Sequence, residues 1–352
     1  MDFLLALTPS LLWGTMGIVL MLMGGNSRQQ ATGQLLGGAT AAGVIALIVG
    51  VDTAPRVLLI ALVLGSMQAV AIQFQLKAFH DIGVSGTIPI TTGAQLIAIS
   101  LLGVILFGEW IGSAALPIGL GGILLVTAGV VMADWTEKTP VAVAVGAGMS
   151  VAELNAVEGI GASESKASAG PLEARVLDEG TVADISAEAS GASEVAPPAG
   201  PNRRRGLVFL TVSTVLLIAF PISVRCFDID PLRSFLPMGV GFMLVALIGT
   251  IPLLTPESGP IDDRFSKYTL RAMLPGCTWA LGLLIMLVSQ VRVGVGVGFA
   301  LSQLGVVIST FGGILILGER RTPREFKVIS VGVVLMVIGT VLLAIAKTID
   351  AG

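Results

Sequence analysis

The sequence predicts an all-α integral membrane protein with ten transmembrane helices, arranged as two inverted five-helix repeats. Three observations carry that prediction. Hydrophobic residues make up 54% of the chain and charged residues 12%, about half the charge of an ordinary soluble domain, and the mean hydropathy is +0.93. Apolar stretches of about 20 residues, the length needed to cross a hydrocarbon core of roughly 30 Å, recur along the chain. Ile82 to Trp110 returns in diverged form at Val293 to Glu319, and Gly65/Gly276, Ala69/Ala280, Gly121/Gly332 and Leu124/Leu335 match at nearly the same separation.

The first half, 1–137, reads as five spans. Phe3 to Met23 lacks the basic start and small-residue cleavage site of a secretory signal and is read as the first span; the Gly24-Gly25-Asn26 turn ends it. The second runs from about Thr32 to Gly50, the third from Pro55 to Lys77, and the Ile82 to Trp110 stretch is the fourth. Pro89 within that fourth span is expected to break its helix at mid-membrane. Ala114 to Met132 makes the fifth.

Residues 138–202 form an acidic linker rich in Ala, Gly and Ser, with no aromatic residue and a Pro-Pro-Ala-Gly-Pro exit. Such a segment cannot bury enough apolar surface to offset chain entropy, so it is expected to be disordered. The spans resume in 203–352: about Gly206 to Val224, Phe235 to Leu254, Leu270 to Gln290, Gly294 to Leu317 and Phe326 to Ala346. An odd number per repeat forces the two copies into opposite orientations, the plan of many secondary transporters.

Basic residues set the expected orientation. Arg28, Lys77, Lys138, Arg203 to Arg205, Arg264, Lys267, Arg320, Arg321, Arg324 and Lys327 collect on one side; only Arg56, Arg225, Arg233, Arg292 and Lys347 collect on the other. This places the linker in the cytoplasm and both termini outside. The formal net charge of -3 argues against a nucleic-acid partner. Cys226 and Cys277 form neither a metal cluster nor a disulfide framework.

Trp13-Gly14, GGNSRQQATGQLLGG, QFQLKAFHDIGVSGTIPITTGAQL, the FGEW end, FLPMGVG and GFALSQLGVVISTFGGILILGER together resemble the glucose/ribose porter family of sugar-uptake proteins, within the drug/metabolite transporter superfamily. The resemblance covers nearly the whole chain and departs at the long linker, where that family has a short connection. It implies ten membrane helices in a bacterial cell membrane and import of a glucose-like sugar, driven by a proton or sodium gradient.

The residues themselves point to a neutral, hydroxyl-bearing substrate. Thr87, Thr91 and Gln95 share one helix face over two turns, and Gln68 with Gln75 share another. In the second copy Ser302 pairs with Ser309 and Gln303 with Thr310. Trp13 and Trp279 supply flat faces for a sugar ring. A competing reading stands for each of these: Ser, Thr and Gln in membrane helices often only bond a neighbouring helix, and Trp often anchors or packs. Glu109 and Glu319 close equivalent spans as gating or coupling candidates, or as interfacial charges. His80, the one histidine, reads as a loop residue or a pH sensor. Gly119, Gly121 and Gly122 read as close-packing positions.

No catalytic triad, phosphate-cradling loop or metal cluster appears, so no enzyme, ATP drive or cofactor is expected. Export of small metabolites, and a non-transport scaffold or sensor acting through the linker, remain the alternatives. The partners expected are a sugar, a coupling ion and membrane lipid.

Overall fold

In a computed structural model, residues 2–82, 84–111, 113–133, 135, 203–255, 259–316 and 322–351 are described. Before the linker come α1 Asp2–Met23, α2 Ser27–Val49, α3 Pro55–Ile82, α4 Val84–Phe107 and α5 Ala115–Ala133. After it come α6 Arg203–Cys226, α7 Phe235–Gly249, α8 Lys267–Val293, α9 Val295–Ser302, α10 Gly305–Leu315 and α11 Pro323–Ala351. Eight of these helices are long and apolar enough to cross a membrane. The chain is therefore an α-helical, multi-pass membrane protein. The linker, 138–202, lies outside the described residues, as does Glu319; of Thr87, His80, Pro89 and Thr310 only the helical backbone is described.

Local signals explain the helix starts. Asn26 and Gln29 form a reciprocal capping box, so α2 begins at Ser27, one turn before the expected Thr32. Thr322 and Glu325 form the same box at α11, around Pro323 at the first helical position. The expected Phe235 to Leu254 span is also corrected. Helix α7 stops at Gly249, and Thr250 and Thr255 turn inward to hydrogen-bond Thr32 and Arg28.

Two further expectations about the fourth spans are reversed. Helix α4 runs without a break past position 89. The second copy, read as one span from Gly294 to Leu317, is instead interrupted between α9 and α10 at Gln303 and Leu304.

Glycine decides where helices cross, because packing in lipid depends on close backbone approach. A Cβ at Gly65 would collide with the Met238 backbone of α7, and one at Gly276 with the Gln34 backbone of α2. These are the glycines matched by the duplication, and each makes the equivalent contact with the other half. Gly122 and Gly129 of α5 meet Gly339 and Gly332 of α11. Gly119 faces the Trp110 ring, so Gly119 and Gly122 are packing positions; a Cβ at Gly121 would meet open space.

The packing pairs repeat across the halves. Helix α1 lies on α8 as α3 lies on α6, and α2 lies on α8 as α7 lies on α3. The outer faces carry exposed Leu, Ile and Val such as Leu47, Leu59, Ile105, Leu124 and Val334, the surface a helix turns to lipid.

Both ends of the bundle are tied. At one end Asp2 pairs with Arg292 at 3.2 Å, and Arg225 lies over the Phe107 ring. At the other, Arg205 grips the buried Asp81 through two bonds of 2.7 and 2.6 Å.

Candidate functional site

The break between α9 and α10 is a tertiary feature. Backbone bonds shorten there to the i→i−3 pattern, Gln303 to Ala300 and Leu304 to Leu301. The Ser302 hydroxyl donates to the Phe299 carbonyl at 2.6 Å, taking the acceptor that Gln303 N–H would use in an unbroken helix. Gln303 Nε2 in turn donates to Ser302 Oγ at 3.1 Å. Helix α1 presses on this point, since a Cβ at Gly305 would lie 2.6 Å from the Ser10 carbonyl oxygen.

The candidate residues fall into two groups. Trp13 sits one residue from Gly14, which packs on Gly305, and its indole N–H donates to the Trp279 carbonyl at 3.1 Å. Trp13, Trp279, Ser302 and Gln303 thus share the α1, α8, α9–α10 side. The Trp279 ring is buried, packed on Phe242 at 5.2 Å and against Gly38. Gln68 and Gln75 on α3, with Thr91 and Gln95 on α4, belong to the side that packs on α6. Thr91 is fully buried, Gln75 and Gln95 partly. Gln68 is buried and its Oε1 has no protein hydrogen-bond partner. Gln73, Ser100 and Gln290, which lie outside the set of candidate residues, are also buried with an amide nitrogen or hydroxyl left over.

A cavity of about 320 Å³ opens where the last turns of α6 and α8 separate. Gln290 and Leu287 of α8 line it, with Arg225 of α6 and Asp228, Asp230 and Pro231 of the following loop. Asp228 holds a left-handed φ of 51° to make that corner.

Glu109 reaches from one half to the other. Gly108 (φ 69°) and Trp110 (φ 63°) turn the chain on either side of it. Its carboxyl accepts the backbone N–H of Val295 at 2.5 Å and of Gly296 at 3.4 Å, covering the start of α9. Gly103 and Gly294 leave the room: a Cβ at either would lie 2.9 or 3.0 Å from a carboxyl oxygen. Burial pushes the Glu109 carboxyl above its ordinary value, against the pull of the two N–H groups, Lys347 and Arg225.

At the opposite end Arg28 is 1% exposed. Its guanidinium donates to Thr255 Oγ1 and O, to the Gly259 and Ile261 carbonyls, and to Asp263. Asn26 and Gln29 bond the same Asp263 carboxylate. The GGNSRQ turn therefore anchors the α7–α8 loop.

A multi-pass helical membrane protein with uncharged polar groups buried in its spans is thus defined by fold and site. The sequence matches the family described as Sugar transport protein over residues 4–157 and 186–346, and the chain belongs to that family. It is 32% identical over 348 residues to the "Probable glucose uptake protein GlcU" of Priestia megaterium, covering 99% of this chain and 100% of that one. It is 31% identical over 348 residues to the protein of the same name from Bacillus cereus, again covering 99% and 100%. The "Glucose uptake protein GlcU" of Bacillus subtilis is 30% identical over 348 residues, covering 99% of each chain.

Proposed function

We propose that this chain is a secondary transporter that imports a neutral, glucose-like sugar across the bacterial cell membrane by alternating access, coupled to a cation gradient. Buried amides and hydroxyls without a protein partner, Gln68, Ser100 and Gln290 among them, carry this reading. Such atoms are costly in a packed apolar interior and are retained where a ligand or water can meet them. They are neutral, so they suit hydroxyls better than ions. The family and the names of its glucose uptake members support the same substrate class.

Ten crossings in two inverted repeats complete the proposal, with α7 and the interrupted α9–α10 pair adding to the eight long helices. The exchange of packing pairs between halves supports that symmetry. Trp13, Gln68, Gln75, Thr87, Thr91, Gln95, Trp279, Ser302 and Gln303 are assigned to the substrate path. Glu109 and Glu319 are assigned to gating, and His80 is the weaker third candidate. The linker is assigned to the cytoplasm and both termini to the outside.

Uptake of labelled glucose, ribose and rhamnose in a transport-deficient bacterial strain, with and without an uncoupler, tests the proposal. Substituting Gln95→Leu or Gln303→Leu is expected to lower uptake about tenfold with the protein still inserted, since each removes a polar contact to substrate. Accumulation of none of these sugars, alongside export of a hydrophobic compound, would sink the reading. The family match lapses between residues 157 and 186. Deleting 138–202 and closing the gap with a short polar loop is therefore expected to leave uptake within about twofold of the parent, as long connections are tolerated or lost at little cost. Abolished uptake in that deletion would favour the scaffold or sensor.

A further inference from the structure

We propose that the cavity between the ends of α6 and α8 is an outer sugar-binding subsite, with the Gln290 amide at its floor. The inference rests on the sugar-transport reading above and adds a place and a chemistry to it.

Gln290 is 4% exposed, lines the cavity, and its Nε2 has no protein acceptor. Space is made for it: a Cβ at Gly298 would lie 2.9 Å from Gln290 Cγ. Its neighbours on the same wall, Leu287 and Val291, are apolar, so packing alone gives no reason for an amide here. A buried donor of this kind calls for an acceptor from outside the protein.

The rim selects which acceptor. A cation would meet the Arg225 guanidinium, and an anion the Asp228 and Asp230 carboxylates. A neutral hydroxyl satisfies every group at once, accepting from Gln290 and donating to a carboxylate, while Arg225 donates to a second hydroxyl. Leu287 and Pro231 offer apolar surface to the C–H face of a ring. At about 320 Å³ the space is at the small end of ligand pockets, roughly 300–1,000 Å³, and suits one monosaccharide. The Arg225 charge also acts on Glu109 through space, so an occupant here would act on the residue that holds the start of α9.

The test is glucose uptake by the full chain in proteoliposomes, together with labelled-glucose binding to the purified protein in detergent. Gln290→Leu and Asp230→Asn are each expected to raise the half-saturating glucose concentration at least about fivefold, the loss of one hydrogen bond. The rate at saturating sugar should fall far less than the rate at low sugar. Asp230→Asn keeps the side-chain oxygen that accepts Leu232 N–H at 2.9 Å, so the loop holds its shape and this variant decides alone if Gln290→Leu cannot be recovered. Parental half-saturation in both variants, or a lower maximal rate with half-saturation unchanged, overturns the subsite and leaves the transport reading standing. A parent chain that neither binds nor takes up any sugar overturns both.

Discussion

Replacing Arg28 by Leu is expected to destabilise the protein by on the order of 3–5 kcal/mol, the range for stripping one partner from a buried charged network. The expected readouts are a loss of monodisperse protein in detergent and a large drop in Tm. The guanidinium makes five hydrogen bonds, four of them between 2.5 and 2.7 Å. Three go to loop carbonyls, of Thr255, Gly259 and Ile261. Removing it leaves those carbonyls and the Thr255 hydroxyl without their donor, each at a cost of about 1–3 kcal/mol while they stay buried. Lysine offers a point charge in place of a planar fork, so Arg28→Lys is expected to recover less than half of the loss. Asp263→Asn provides the contrast. Its contact with Arg28 is the longest of the set at 3.2 Å, and the Asp263 side chain is 26% exposed, so even with its bonds from Asn26 and Gln29 disturbed that variant should cost less, on the order of 1–2 kcal/mol. Equal losses in Arg28→Leu and Asp263→Asn would mean that the Asp263 carboxylate, and not the carbonyl cage, holds the loop.

Arg28 shows where the amino-acid sequence stops being legible. As a residue it reads as one more positive charge near a membrane surface, and its burial depends on a loop some 227 residues further along the chain. Gln290 is hidden in a similar way, since a glutamine at the end of an apolar span looks like a rim residue until the Gly298 backbone is brought against it. The interruption at Gln303 needs α1 pressed on Gly305, which no local pattern announces. Pro89, the obvious breaker, drew attention to the wrong copy. What could be read is what depends on length, period or repetition: the apolar spans, and Gly65 and Gly276 at matched positions that turn out to bear equivalent crossings. The start of α2 was legible but missed, because counting apolar residues points to Thr32 while Asn26 and Gln29 already spelled a capping box.

Docking of Glu109 on the start of α9 is expected to strengthen as pH falls and to loosen as it rises. Burial holds this carboxyl above its ordinary value, and the Val295 and Gly296 N–H groups, Lys347 and Arg225 offset only part of that. A Glu109 released to water would titrate near 4.5. The docked form therefore binds a proton more tightly than the released form, and linkage requires that protonation favour docking. The change runs from the ordinary carboxyl range upward through the raised value. Val295 is 1% exposed and contributes its backbone N–H, so a Val295→Cys variant reports release by its rate of alkylation without disturbing the contact. Dividing its rate by that of Val295→Cys combined with Glu109→Gln removes the ionisation of the thiol itself. That ratio is expected to rise as pH is raised above the ordinary carboxyl range, because Gln stays neutral and keeps an oxygen for Val295 N–H. Glu109→Ala, with no acceptor, should be alkylated fast at every pH. A ratio near one throughout would separate Glu109 titration from docking. On the proposed topology this contact lies at the outer face, so acid outside favours its closed form and a rise in external pH favours its release.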